Sequence, residues 1–333
     1  MKRIILKATP LCISQLCLGT NDFGSRLAAD AAEAVLDEFA TLGGNFIDTA
    51  HSYGDWHPFG PRAASERVIG RWLSKRRRED FVIATKGCEP DARARAGKRA
   101  ARLTPADLAI DVRESLECLQ LDMIDLYWLH RDDPSQAVEP IIDSLIEHQR
   151  AGRIRYFGCS NWSVDRIRQA QSYAARLGHS GFIACQPMWG LAEPNRAAMP
   201  QTFLCTYYEE GFRDLHARGM PMIAYTAQSR GFFSKLAEGG VARLPRQLKD
   251  LFCNPPNLLR FESVQALANR HGVTPNTIVL AYLTSQPFTT VPIIACSTPQ
   301  QLRASVSACE LRLDAEELAF LNNIDPVLPI RSA

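Results

Sequence analysis

Titratable side chains of four kinds stand at or just beyond the ends of short apolar runs. Asp48 closes the run of Phe46 and Ile47, with Tyr53 shortly after it; Lys86 follows Val82-Ile83-Ala84, and His130 follows Leu126-Tyr127-Trp128-Leu129. Ser160 and Asn161 likewise follow Tyr156-Phe157-Gly158-Cys159, and Gln186 follows Ile183-Ala184-Cys185. Together these types describe a site where a carboxylate holds an ammonium, the ammonium lies near a phenol, and an imidazole faces the same cavity. Such a set can move a proton. Singly, each has a plain explanation: Lys86 as an exposed lysine, His130 as a satisfied histidine near a core, Tyr53 as a packing residue with its hydroxyl in water. Their recurrence at successive run ends is the informative feature, because a solvated surface does not sort side chains in this way.

Sorting of this kind needs a scaffold that brings strand ends together. Apolar runs begin at Gln15, Asn45, Phe81, Met123, Ile154, Phe182, Pro221 and Thr290, and stretches of helical period begin at Leu27, Thr104, Ser135 and Thr298. Thr104-Pro105, Thr274-Pro275 and Thr298-Pro299 each place a capping hydroxyl before a proline suited to a first helical turn. Strand followed by helix, repeated along the chain, predicts an α/β fold, a parallel (β/α)8 or TIM barrel with its chemistry at the C-terminal rim of the strands. A doubly wound open sheet is the rival architecture. It would normally carry Gly-x-Gly-x-x-Gly after its first strand, and the segment from Leu18 to Gly24 lacks that spacing. No linker rich in Pro, Gly or Ser divides the chain. We therefore expect one domain over 1–333, with a short N-terminal β-hairpin over 1–14 plugging the bottom of a barrel over 15–326.

Composition narrows the functional classes. The 333 residues, 46% of them hydrophobic, are enough for a large core, and 38 basic against 36 acidic residues leave a formal charge of +2. A near-neutral chain has no bulk field for nucleic acid or an anionic membrane surface, so neither is expected as a partner. Ten cysteines without C-x-x-C pairs or metal-ligand spacing read as reduced core thiols, with no metal site and a cytoplasmic location. No window reaches the roughly 18–20 apolar residues of a membrane span. The basic stretch from Asp91 to Arg102 reads as a solvated loop.

Taken in order, "FIDTAHSYG", "VIATKG", "YWLHRDD", "GCSNW", "CQP" and "IAYTAQSRG" resemble the motifs of the aldo-keto reductase family. The resemblance extends over almost the whole chain, from "LGTNDFG" to "STPQQLRASVSA". It implies reversible hydride transfer from NADPH, with NADH possible, to an aldehyde or ketone, and places Asp48, Tyr53, Lys86 and His130 in the catalytic positions. A carbonyl that receives hydride becomes an alkoxide and needs a proton, for which Tyr53 is the expected donor. Lys86 is then expected to lower the phenol from its free value near ~10, and Asp48 to hold the ammonium. His130 would orient the carbonyl, while His51 reads as accessory or solvent-facing.

The same resemblance implies a cofactor extended across the barrel mouth in contact with Gly19, Thr20 and Asp48. Ser160, Asn161 and Gln186 would hold the carboxamide, and Tyr225 would stack on the nicotinamide. Thr226, Ala227, Gln228, Gly231 and Lys235 would surround the pyrophosphate, in a loop that departs from the "SPL" sequence more common in the family. Ser297, Gln301 and Ser305 would meet the adenosine end, where Arg303 is the only basic residue and Ser305 replaces a usual Asn. Phe23, Trp56, Trp128, Trp189 and Phe232, with His130, are expected to line an aromatic, mostly apolar pocket for a small carbonyl substrate. The short end "NNIDPVLPIRSA" would leave that pocket open. Two further readings remain: a non-catalytic cofactor-sensing subunit, and a dehydrogenase acting on a sugar or other alcohol. The sequence leaves the oligomeric state undetermined.

Overall fold

Eight parallel strands close on one another in the computed structural model, which describes residues 1–56, 60–90, 102–199, 206–208 and 211–322. They are β3 (Cys17–Gly19), β4 (Phe46–Asp48), β5 (Val82–Gly87), β6 (Ile124–Leu129), β7 (Ile154–Ser160), β8 (Cys185–Gln186), β9 (Met222–Ala224) and β10 (Thr290–Ala295). Each pairs with its successor along the chain, and β10 returns to β3 through Ile293 opposite Cys17. A separate antiparallel pair, β1 (Arg3–Ile5) and β2 (Cys12–Ser14), precedes them.

The helices of the first half are α1 (Ala29–Thr41), α2 (Ala64–Leu73), α3 (Pro105–Leu119), α4 (Val138–Arg150) and α5 (Val164–Arg176). Those of the second are α6 (Phe212–Ala217), α7 (Phe232–Gly239), α8 (Arg246–Phe252), α9 (Pro255–His271), α10 (Pro275–Thr284), α11 (Pro299–Val306) and α12 (Ala315–Asn322). The three Thr-Pro starts cap as their chemistry predicts. Thr104, Thr274 and Thr298 accept from the backbone N–H of Asp107, Thr277 and Gln301, which satisfies donors that a helix start leaves open.

Alternation along each strand divides the apolar residues between two cores. Phe46, Val82, Ala84, Leu126, Trp128, Ala184, Ile223 and Val291 fill the barrel interior, joined from the hairpin region by Leu6, Leu11 and Ile13. The hairpin thus closes the bottom. Ile47, Ile83, Tyr127, Leu129, Phe157, Cys185, Met222 and Ile294 belong to the layer between strands and helices. By the two-residue period, Asp48, Lys86, His130, Ser160 and Gln186 share the inward parity and continue the interior column toward the rim. Residues 91–101 of the basic stretch and the chain end beyond 322 lie outside the described residues; Arg102 is paired with Asp107 and Asp111. No helix among the described residues is long and apolar enough to cross a membrane.

Trp128 keeps its inward place because Gly158 on the neighbouring strand has no side chain. A Cβ there would stand 2.4 Å from the indole ring and 2.7 Å from the carbonyl oxygen of Ala184. We predict that Gly158→Ala lowers stability by about 1–3 kcal/mol through overpacking. Equilibrium urea unfolding reads this directly, and an unchanged midpoint would show that the barrel interior can yield at this point.

Candidate active site

The end of β4 and the end of β5 meet at a buried ammonium. Lys86 Nζ donates to the Asp48 carboxylate, to the backbone oxygen of Thr49 at 2.7 Å and to the Tyr53 hydroxyl at 3.0 Å. All three of its donors are used. The second carboxylate oxygen of Asp48 accepts from Gln186 Nε2 at 3.0 Å, so the acid is held from two strands. Thr49, which the sequence reading passed over, contributes only its carbonyl, a group no side-chain motif reveals.

Burial sets the proton affinities here. It pulls the Lys86 ammonium down, but the charges and hydrogen bonds of Asp48 and Tyr53 more than offset this and hold the lysine above its ordinary value. Burial likewise pushes the Asp48 carboxyl up, against the pull of Lys86 and Gln186. The Tyr53 phenol is also raised, because burial outweighs the neighbouring cation. Lys86 does pull the phenol down, as expected, but burial outweighs it and the net shift is upward. His130 is pushed well below an ordinary imidazole, first by burial and then by Arg131 and Lys86.

The His130 ring meets that of Tyr53 edge-on at 6.0 Å between centroids. Its Nδ1 lies 3.1 Å from the Glu89 carboxylate, which also stands 3.1 Å from Arg131 Nε. Glu89 was not identified in the sequence, where it lies in the loop beyond β5 with no periodicity to mark it. His51 is buried, with Nε2 2.9 Å from Glu114 and Nδ1 3.9 Å from Asp111. It is therefore not solvent-facing; it ties the loop after β4 to α3.

Ser160, Asn161 and Gln186 come together at the ends of β7 and β8. The Ser160 hydroxyl donates to the Gln186 backbone oxygen, and Asn161 Nδ2 donates to the His130 carbonyl and to Ser160 Oγ. Asn161 Oδ1 accepts the Tyr225 hydroxyl at 2.7 Å. These polar groups are spent on one another here. Thr20 is fully buried, and its hydroxyl donates to the Asp48 carbonyl, which fixes the end of β4. In the loop after β9, Thr226, Ser229, Arg230 and Gly231 all have positive φ, and the buried Ser229 hydroxyl makes no hydrogen bond among the described residues. Ala227 is buried, while Lys235 Nζ donates to the Arg230 carbonyl.

Farther along, Gln228 donates to Asn276 and Ser305 and accepts the Ala295 N–H, joining that loop to β10 and α11. Gln301 accepts the Ser297 N–H at 2.8 Å. Arg303 is paired with Glu38 of α1 at 2.8 Å, so its charge is already engaged.

The aromatic expectation divides. Trp56 is 40% exposed, 6.0 Å from Tyr53 and under the guanidinium of Arg26. Phe23, Trp189 and Phe232 belong instead to the buried layer between strands and helices. Trp189 is stacked on Tyr208 and Phe288, and Phe232 packs on Phe233 and Phe252. Apolar burial in that layer competes for such rings, and it holds these three. The cavity beside Lys86 is polar, bordered by His51, Asp55, Arg62, Glu89, Arg102 and Asp111. No group of His, Cys, Asp or Glu among the described residues is placed to hold a metal ion.

The chain is similar in sequence to three relatives whose lengths it covers well. It is 30% identical to the uncharacterized oxidoreductase YrpG of Bacillus subtilis over 98% of this chain and 96% of that protein. It is 27% identical to the norsolorinic acid reductase stcV of Emericella nidulans, over 97% and 81%, and 26% identical to an aryl-alcohol dehydrogenase of Pestalotiopsis microspora, over 95% and 80%. The family model described as the Aldo/keto reductase family matches residues 15–326. With a closed parallel barrel, a buried lysine joining aspartate to tyrosine at its rim and this match over nearly the whole chain, the protein belongs to the aldo/keto reductase family of oxidoreductases.

Proposed function

We propose that the chain is an NADPH-dependent reductase of aldehydes and ketones in which Tyr53 is the general acid. The observation that carries this reading is the Lys86 ammonium, whose three donors reach Asp48, Thr49 and the Tyr53 hydroxyl in a buried site. When bound, the reduced nicotinamide supplies hydride to the carbonyl carbon. Tyr53 gives its proton to the oxygen as negative charge develops there, and Lys86 stabilises the phenolate left behind. Asp48 keeps Lys86 charged and aimed. A phenol raised by burial is fully protonated near neutrality, which suits a donor.

The donor set fits the proposed cofactor. Hydroxyl and amide groups of Ser160, Asn161 and Gln186 suit a carboxamide, once they exchange some of their mutual hydrogen bonds. Tyr225 is adjacent for stacking. Three non-glycine residues with positive φ, Thr226, Ser229 and Arg230, and an unbonded buried hydroxyl in the loop after β9 mark backbone strain of the kind stored at binding sites, which supports this loop as the one that would hold the pyrophosphate. For the 2′-phosphate, the side chains of Ser297, Thr298 and Gln301 remain, with Ser305 behind them.

A small carbonyl compound with an aromatic part is the substrate we favour, resting on Trp56 beside Tyr53 and on the aryl alcohol named for one relative. The aryl-alcohol dehydrogenase among them also supports the same site working in reverse. The nine free cysteines among the described residues support a reducing, cytoplasmic setting.

Three measurements test the assignment. Tyr53→Phe should retain cofactor binding and lose roughly 10²–10⁴ in turnover of an aromatic aldehyde, followed as NADPH oxidation; near-normal turnover would remove Tyr53 from its role. Lys86→Met takes away the cation that most limits the phenol's rise, ahead of Arg131, so the alkaline limb of alcohol oxidation should move to higher pH. A profile that stays in place with activity retained counts against the coupling. Gln301→Arg should tighten NADPH by roughly several-fold and leave NADH unchanged, since a charged hydrogen bond exceeds a neutral one and only NADPH brings the extra charge. Fluorescence titration with both cofactors decides it, and equal effects would place Gln301 away from the ribose.

A further inference from the structure

We propose that Glu89 is a positioning residue that keeps the proton of neutral His130 on Nδ1, so that Nε2 accepts a hydrogen bond from an alcohol and must gain a proton before it can donate to a carbonyl. The inference rests on the reductase reading of the site and adds to it the state of its imidazole.

Nδ1 is 3.1 Å from the Glu89 carboxylate and, as the ring is oriented, makes no hydrogen bond among the described residues. The χ2 well of histidine is broad, and a small turn of the ring aligns an Nδ1–H with that oxygen. The opposite tautomer would set the Nδ1 lone pair against a carboxylate at the same distance, two acceptors with no proton between them in a site with little solvent. The position of the second ring proton therefore follows from the first. Glu89 itself is held by Arg131, whose Nε is 3.1 Å away, so the carboxylate is fixed rather than free to swing aside.

Among the described residues, the charged and titratable groups around His130 are Lys86 of β5, Glu89 of the following loop, Arg131 beside it and Tyr53 of the loop after β4. Burial, Arg131 and Lys86 all disfavour the imidazolium and together outweigh the negative charge of Glu89, 3.1 Å from Nδ1. Near neutrality the ring is neutral. A product alcohol can then accept from Tyr53 and donate to Nε2, whereas a carbonyl oxygen has no hydrogen to offer and meets a lone pair. Protonation turns Nε2 into a donor and suits it to the carbonyl. Reduction should consequently show a limb in kcat/KM that falls as pH rises through the His130 pKa, and the alcohol product should inhibit best above it.

Glu89→Gln tests this, because the amide is similar in shape, lacks the charge and can donate to Nδ1. Selective ¹⁵N-histidine labelling, with the His130 signal identified by its loss in His130→Asn, reports the tautomer in the cofactor-bound protein. We expect an Nδ1–H pattern in the parent protein and a shift toward Nε2–H in Glu89→Gln. In parallel, the falling limb should move to lower pH or vanish, and inhibition by the alcohol should weaken by roughly fivefold, the scale of one hydrogen bond. An Nε2–H pattern in the parent, the same tautomer in both proteins, or an unchanged limb overturns the proposal. The tautomer signal does not depend on turnover, so failure here is distinct from failure of the Tyr53 assignment.

Discussion

The site is organised around an ammonium that has been taken out of water. Lys86 is 1% exposed, and a charge so placed persists only with partners for all of its hydrogens. Three acceptors surround it, two of them on the loop that follows β4 or its last residue, and the third is the phenol proposed to react. Removing one member of a buried ion pair typically costs about 3–5 kcal/mol, so the loop carrying Tyr53 is bound to the barrel by the same contact that tunes its chemistry. Gln186 extends the constraint to a strand on the other side of the barrel by donating to the second oxygen of Asp48. Catalytic geometry and the seating of three strand ends are thus one set of hydrogen bonds.

Much of this could be read from sequence because strands impose a period of two. Phe46 and Asp48, Ala84 and Lys86, and Trp128 and His130 each share a parity, and the barrel turns that parity into a common direction. The Thr-Pro helix starts were equally legible, since capping is a local matter of one hydroxyl and one amide. Helix α2 gave no such signal: it begins after Ala63 in a left-handed conformation without a side-chain cap. Local chemistry marks elements only where local chemistry makes them.

The sequence was silent where burial decides between competing roles. Phe232 and Trp189 follow rim segments as closely as Trp56 does, yet the outer layer absorbs them, because a large ring gains more from dry packing than from a wet mouth. Arg303 looked available for a phosphate, but Glu38 on a helix distant in sequence engages it. The direction of the Tyr53 shift depends on how completely the phenol is desolvated, which no spacing of motifs contains. Glu89 illustrates the same limit, since its importance comes entirely from the ring and guanidinium it touches.

Desolvation also explains why the site should transfer protons rather than accumulate charge. Among the described residues, two opposed pairs of buried charges stand at the site, Lys86 with Asp48 and Arg131 with Glu89. An alkoxide forming in this space would add one uncompensated negative charge at high cost. On the proposed reading, delivery of the Tyr53 proton as that charge develops would move the negative charge onto the phenol oxygen, 3.0 Å from the Lys86 ammonium. The burial that raises the phenol's affinity for its proton in the resting protein therefore acts equally against an unprotonated alkoxide. On that reading the difference between the two oxygens is the hydrogen bond from Lys86, and that contact would favour the transfer.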